Sequence, residues 1–191
     1  MSKWDNVADK VTFNLEISIS DLIGSVPLDS KILDFGCGYG RISKQLNAVG
    51  YSKTVGVDTS KEMINRGRVD YPFLDLRHLE SNQLPFADNE FDAVITCAVF
   101  TCIPCVETRK QILAELSRIL KPNGIIYLAE FSSPKNIKFT SGQGVPMLHS
   151  SQKNLEELLT QFTVNSSRVV NVSTMSGDNS YACHIIARKI I

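Results

Sequence analysis

Two acidic residues and three alternating glycines carry the chemistry most legible in this chain. In Lys31-Ile-Leu-Asp34-Phe-Gly36-Cys37-Gly38-Tyr39-Gly40 the glycines permit a sharp turn and leave no Cβ between the main-chain amides and a ligand. A molecule bound there lies directly on the backbone. Asp34, immediately before the loop, would repel a pyrophosphate but matches an ammonium group, directly or through water. Asp58 stands eighteen residues beyond Gly40 and closes a second apolar run, Thr54-Val-Gly-Val. A carboxylate at that point can accept hydrogen bonds from both hydroxyls of a ribose, and it can also cap the helix that begins near Ser60. A nicotinamide dinucleotide site has glycine at the first, third and sixth loop positions. Here the sixth position is Arg41, so the residues fit a ribose, an adenine and a cationic amino-acid tail better than a dinucleotide.

Other chemistry-bearing side chains lie further along. His149 ends a segment rich in turn formers and precedes Ser150-Ser151, a plausible helix cap. An imidazole there could take a proton from an attacking hydroxyl, thiol or amine, which makes His149 the candidate catalytic residue, with a surface histidine beside a cap as the plainer reading. Cys102-Ile-Pro-Cys105 has the spacing of a thioredoxin-type redox pair, or of an ordinary turn leading into a helix through Pro104. The chain has five cysteines, an odd number that favours reduced thiols over a disulfide framework. Cys37 and Cys97 read as small apolar residues at strand ends beside the ligand.

These residues need a scaffold, and the apolar spacing supplies one. Strands are expected near 31 to 35, 53 to 57, 73 to 76, 92 to 97 and 124 to 130, and helices near 41 to 49, 60 to 67, 107 to 120 and 151 to 161. Segments 164 to 172 and 181 to 187 read as a closing antiparallel pair. The alternation describes an α/β chain: a doubly wound, mostly parallel seven-stranded sheet with helices on both faces. Ligands bind beyond the C-terminal strand ends of such a sheet. Residues 1 to 25, an amphipathic accessory segment with Trp4, Val7 and Phe13 available for packing, and the loop 132 to 150 are the candidates for covering that edge.

The composition sets bounds. At 191 residues one domain over 1 to 191 is expected. Twenty basic residues balance twenty acidic ones, so no global positive field favours nucleic acid or an anionic membrane. The N-terminus has no apolar block and no run reaches transmembrane length, from which a cytoplasmic protein is expected; it is expected to be a monomer or a homodimer.

Four motifs in consistent order then identify a resemblance. Ile32-Leu-Asp34-Phe-Gly-Cys-Gly-Tyr-Gly40 resembles the first motif of class I S-adenosylmethionine-dependent methyltransferases, in particular a small, single-domain, type 11-like group. Val55-Gly-Val-Asp58-Thr-Ser-Lys-Glu-Met63 is similar to the second motif, Leu84-Pro-Phe-Ala-Asp-Asn-Glu-Phe-Asp92 to the approach to the fourth strand, and Glu115-Leu-Ser-Arg-Ile-Leu-Lys-Pro-Asn-Gly124 to the helix and turn before the fifth. The resemblance is strong over 31 to 131 and implies a Rossmann-like fold with S-adenosylmethionine as cofactor and S-adenosylhomocysteine as product. It implies that the loop, with Gly36, Cys37, Gly38, Tyr39 and Arg41, cradles the cofactor. Asp58 and Thr59 would meet the ribose, and Met63 would pack on the adenine. Relatives carry aspartate four residues before Leu-Pro-Phe to bind the adenine amino group; here the position is Glu80, with the Ser81 amide beside it. Main-chain atoms of Cys97 and Ala98 would contact the methionine part, while Phe100 would either shape the transfer channel or pack in the core.

The pattern found at the fourth strand end of DNA amino-methyltransferases is missing. No DNA partner is therefore expected, and the expected activity is methyl transfer to a small-molecule acceptor by in-line displacement. An RNA or protein acceptor, or cofactor binding without catalysis, are the alternatives.

Overall fold

The computed structural model describes residues 3–81 and 83–190. Five parallel strands form its centre: β1 Ile32–Phe35, β2 Thr54–Asp58, β3 Asp75–His78, β4 Phe91–Cys97 and β5 Leu120–Ser132. After a small hairpin, β6 Ile137–Thr140 with β7 Pro146–His149, the chain adds β8 Phe162–Ser173 and β9 Asn179–Lys189. β9 runs antiparallel to β5 and β8 antiparallel to β9, which completes a seven-stranded sheet of order β3-β2-β1-β4-β5-β9-β8. The helices are α1 Ile19–Ile23, α2 Arg41–Ala48, α3 Lys61–Asp70, α4 Val106–Ile119 and α5 Gln152–Leu158.

The continuous apolar runs of the central strands follow from burial on both faces. Leu33, Val94 and Leu128 face a layer formed by Leu113 and Leu116 of α4 and Leu155 of α5. Their neighbours Ile32, Ile95 and Tyr127 point the other way, onto Ile42 and Leu46 of α2 and Leu22 of α1. Helix starts are set by serine caps: Ser60 Oγ accepts from the Met63 amide at 3.2 Å, and Ser151 Oγ from the Asn154 amide at 3.2 Å.

Three boundaries depart from the spacing-based expectation. β3 begins at Asp75 because Pro72 to Leu74 complete a turn after α3, closed by the Leu74 amide donating to the Tyr71 carbonyl at 3.0 Å. β5 begins at Leu120, which turns extended directly after α4 and pairs with Phe91, before Lys121 to Gly124 bulge out and Ile125 rejoins the ladder opposite Ala93. The third is a correction: 132 to 150 is not a structureless loop. Ile137 to Thr140 pairs antiparallel with Pro146 to His149, and Gly144 at φ +75° helps reverse the chain. Each strand has only four residues and lies among Pro and Gly, so its alternation is too short to register as a period.

The chain leaves β1 toward β2 and β3 on one side and returns to β4 on the other. The strand order therefore reverses between β1 and β4, where such sheets open a crevice beyond their C-terminal ends. Among the described residues no helix is long and apolar enough to cross a membrane.

Candidate functional site

The glycine loop leaves β1 in that crevice and is held from β2. The Gly36 and Cys37 amides donate to the Val57 carbonyl at 2.8 and 3.0 Å, and the Gly38 amide donates to Asp58 Oδ2 at 2.8 Å. Gly36 and Gly38 have φ of +71° and +55°. A Cβ on Gly36 would lie 2.5 Å from the Val99 side chain, and one on Gly38 would lie 2.9 Å from the Phe13 ring. Neither position has room for a side chain. Asp58 Oδ1 accepts from the Ser60 amide at 2.7 Å, so the capping contact is made, and each oxygen keeps a further lone pair. Asp34 is buried under the N-terminal turn of α2, where Ser43 donates to it from its hydroxyl at 2.7 Å and from its amide.

Burial pushes the Asp34 carboxyl up to about 6, opposed first by the Ser43 hydroxyl bond. It also raises Asp58, against the hydrogen bonds from the Ser60 and Gly38 amides. A buried carboxylate, Asp34, and a half-buried one, Asp58, thus face one space. Arg41 lines the same space and its charge also opposes the rise of Asp34, while its guanidinium pairs with Glu16 at 2.8 Å and donates to the Leu15 carbonyl and, at 3.9 Å, to Cys97 Sγ.

That space is a cavity of about 370 Å³. Asp34, Gly36, Cys37, Gly38 and Arg41 line it from β1, the loop and α2. Asp58, Thr59 and Met63 line it from the end of β2 and α3, Ser81 from the segment after β3, and Cys97 with Ala98 from the end of β4. Three expected residues lie off this wall. The Tyr39 ring turns away to stack on Phe13 at 5.5 Å, with the Arg66 guanidinium 3.9 Å over it. Glu80 is exposed, while its neighbour Leu79 turns inward. His149 stacks on Phe131 at 5.4 Å and meets Phe139 edge-on at 5.0 Å; Phe131 lines the cavity and His149 does not. The ring expected to act as a base thus stands one aromatic layer behind the lining residues, and burial lowers its pKa.

The turn after β4 is fixed from below by a buried acid that the sequence reading passed over. Glu130 Oε1 accepts from the Val99 and Phe100 amides, both at 3.1 Å, and Oε2 accepts from the Thr101 amide at 2.8 Å and its hydroxyl at 2.7 Å. Arg109, 2% exposed, reaches up from α4 to the Phe100 carbonyl at 2.6 Å and Ser150 Oγ at 2.8 Å. Phe100 itself is fully buried in the core, so of its two readings the packing one describes its position. A carboxylate inside the apolar run Ile125 to Phe131 was the available signal, since a buried charge persists only when hydrogen-bonded. Cys102 lines the cavity and Cys105 is exposed at the start of α4; both thiols are free. Among the described residues no group of three or more His, Cys, Asp or Glu side chains gathers in a metal-binding arrangement.

Three separate segments close the cavity. Trp4, Phe13 and Leu15 come from the N-terminal segment, Met147 from the β6–β7 hairpin and Met175 from the β8–β9 turn. They are tied together: Lys3 Nζ donates to the Gly144 carbonyl at 2.9 Å, and Asn14 Nδ2 to the Ser173 carbonyl at 2.8 Å. Asp5 anchors the first segment at the start of α3 by accepting from Ser60 Oγ at 2.7 Å, and Arg66 grips the Ala8 and Val11 carbonyls at 2.8 and 2.7 Å. Met175 had no sequence signal, because a turn residue reaches the site only through the strand order.

Comparison with known proteins agrees with this geometry. A solved structure described as a SAM-dependent methyltransferase from Methanosarcina mazei has a TM-score of 0.83 and 26% identity, covering 93% of this chain and 100% of that one. A Pyrococcus horikoshii OT3 structure, 21% identical with a TM-score of 0.72 over 89% of this chain and 86% of its own, shares the fold. A demethylmenaquinone methyltransferase from Renibacterium salmoninarum is 35% identical over 116 residues, 61% of this chain and 47% of that protein. The chain spans about half the length of the curated relatives it matches. The family described as a methyltransferase domain matches residues 33–128, half of the chain, and the chain belongs to that family.

Proposed function

We propose that this protein transfers the methyl group of S-adenosylmethionine to a small, apolar acceptor. The observation that carries the reading is the pairing of a buried carboxylate, Asp34, with a half-buried one, Asp58, on one cavity with a glycine loop between them and a largely apolar wall beyond. That donor set suits a molecule with an ammonium, a diol and a flat ring. It does not suit a polyphosphate, because the Gly36, Cys37 and Gly38 amides are already committed to Val57 and Asp58.

When bound, S-adenosylmethionine supplies an electrophilic methyl on a sulfonium. In our assignment Asp58 holds the ribose with its remaining lone pairs, Asp34 meets the ammonium, Met63 and Leu79 flank the adenine near the Ser81 amide, and the backbone of Cys97 and Ala98 lies along the amino-acid tail. The N-terminal segment, the hairpin and the β8–β9 turn exclude water and align the acceptor. Alignment and desolvation supply most of what such a displacement needs. A cavity of about 370 Å³ is near the lower end of ligand sites, which span about 300 to 1,000 Å³. The acceptor is therefore small, and the named relatives support a quinol-like ring as one candidate.

Calorimetry tests the reading. S-adenosylhomocysteine should bind the native protein, and Asp58→Ala should weaken it by about tenfold to a hundredfold, since bonds to a charged partner are worth about 1.5 to 3 kcal/mol. Equal binding by the variant would remove the ribose assignment.

A further inference from the structure

The acceptor side of the cavity also constrains the acceptor's nucleophile. The titratable groups among the described residues lining the cavity are Asp34, Asp58, Arg41 and the thiols of Cys37, Cys97 and Cys102. The two carboxylates are engaged at the glycine loop, and Arg41 is tied to Glu16 and Leu15. What remains toward the β4 turn and the hairpin is sulfur and hydrocarbon, with the Thr108 hydroxyl and the Asn14 amide as polar groups that are not bases. Cys102 Sγ donates to the Ala98 carbonyl at 3.3 Å and lies 3.8 Å from Met147 Sδ, beside Val99, Ile103 and Phe131. Burial holds Cys97 well above the usual thiol range and pushes Cys102 up to about 12, so both stay protonated and neither is a base.

We infer that the acceptor is a small, uncharged aromatic or aliphatic thiol that ionises without help from the protein, and that the site is built for S-methylation. The inference rests on the methyl-transfer reading above. Among the described residues the wall offers no base, which favours an acceptor that generates its own anion over a phenol or an alcohol. At neutral pH a thiol with a pKa of about 8.5 is a few per cent thiolate, whereas a phenol at about 10 is ionised to about one part in a thousand. The polarisable sulfurs of Cys97, Cys102 and Met147 suit a soft, polarisable nucleophile better than a hard oxygen. The thiol proton leaves to bulk water on ionisation. The thiolate lone pair then forms the new S–CH3 bond as the donor's S–CH3 bond breaks, its electron pair returning to the donor sulfur. A cation and an anion become two neutral thioethers, and a water-free apolar wall favours that loss of charge.

The test has a binding arm and a turnover arm on the full chain. Trp4 is the protein's only tryptophan and lines the cavity, so its fluorescence reports occupancy without the donor. Thiophenol should change that signal saturably, and 4-mercaptobenzoate should bind at least about tenfold more weakly, because its carboxylate has no partner there. With the donor present, thiophenol should exceed phenol and a naphthohydroquinone in kcat/KM at pH 7 by about a hundredfold. The rise of log kcat/KM with pH should level off at each thiol's own pKa and move with it across a series of ring substituents. Faster turnover of phenol or quinol, or a break fixed at one pH whatever the acceptor, would overturn the inference. If S-adenosylhomocysteine fails to bind by calorimetry, the methyl-transfer reading falls and the thiol assignment falls with it. If it binds and thiols show no preference, the thiol assignment alone falls.

Discussion

Asp34 is where a single residue couples ligand binding to protons. Its carboxyl rises from 3.8 to about 6 on burial, so between those values the folded chain holds a proton that the unfolded chain has released. By linkage, folding stability declines as pH rises through that window, by up to the order of 3 kcal/mol from this residue. A cation placed beside Asp34 stabilises its charged form and reverses the penalty. Binding of S-adenosylhomocysteine, whose amino group is protonated below about pH 7.7, should therefore release close to half a proton at pH 6. Calorimetry in buffers of different ionisation enthalpy reads that number directly, and Asp34→Asn should abolish it. Affinity should strengthen as pH rises from about 4 to 6 in the native protein and rise much less in the variant, where only Asp58 remains to titrate. The residue types announced this role, since an acid ahead of a glycine loop is legible in the sequence. The burial that sets its pKa, and the Ser43 bonds that limit the shift, come from packing against α2.

At the scale of an element, the turn after β4 shows how a strand positions a site it does not touch. Glu130 collects the Val99, Phe100 and Thr101 amides onto one carboxylate, which sets the course of the chain from Ala98 onward. Ala98 itself sits at φ +59°, a conformation a non-glycine residue keeps only when its surroundings impose it. Glu130→Gln preserves the shape but points an amide NH2 at one of these donors. We expect a stability loss of about 2 to 4 kcal/mol by urea denaturation, from the donors left unpaired. We also expect about tenfold weaker binding of S-adenosylhomocysteine. Leu155→Ala on α5, a cavity-forming change of similar cost at a core residue that makes no hydrogen bond to the turn, should leave the affinity unchanged. If both variants lose affinity alike, the effect is general loosening and the positioning role fails. The parallel strands and their helices were readable from apolar spacing because burial on both faces demands unbroken runs. The β6–β7 hairpin was not, because four residues per strand carry too little pattern to distinguish it from a loop.

At the scale of the whole molecule, the cavity is closed by three segments distant in sequence and linked only through contacts. Lys3 to Gly144 joins the N-terminal segment to the hairpin, and Asn14 to Ser173 joins it to the β8–β9 turn. Both bonds are exposed and individually weak, so the joints between the three segments are expected to open before the sheet does, even though Asp5 and Arg66 tie the first segment to α3. Hydrogen exchange should show residues 3 to 16, 137 to 149 and 173 to 179 gaining protection together when S-adenosylhomocysteine is added, with β1, β4 and β5 unchanged. Protection confined to the glycine loop would mean that the three segments do not close on the ligand. The sequence by itself determined the doubly wound sheet, the glycine loop and the two acids that face the cavity, because these depend on local spacing and on residue chemistry. Only the tertiary structure decided that Glu80 and His149 stand off the wall while Phe131, Met147 and Met175 form it. Which side chain of a short hairpin or a turn faces a cavity depends on how β5, β9 and the N-terminal segment pack around it. No periodicity within the segment records that packing.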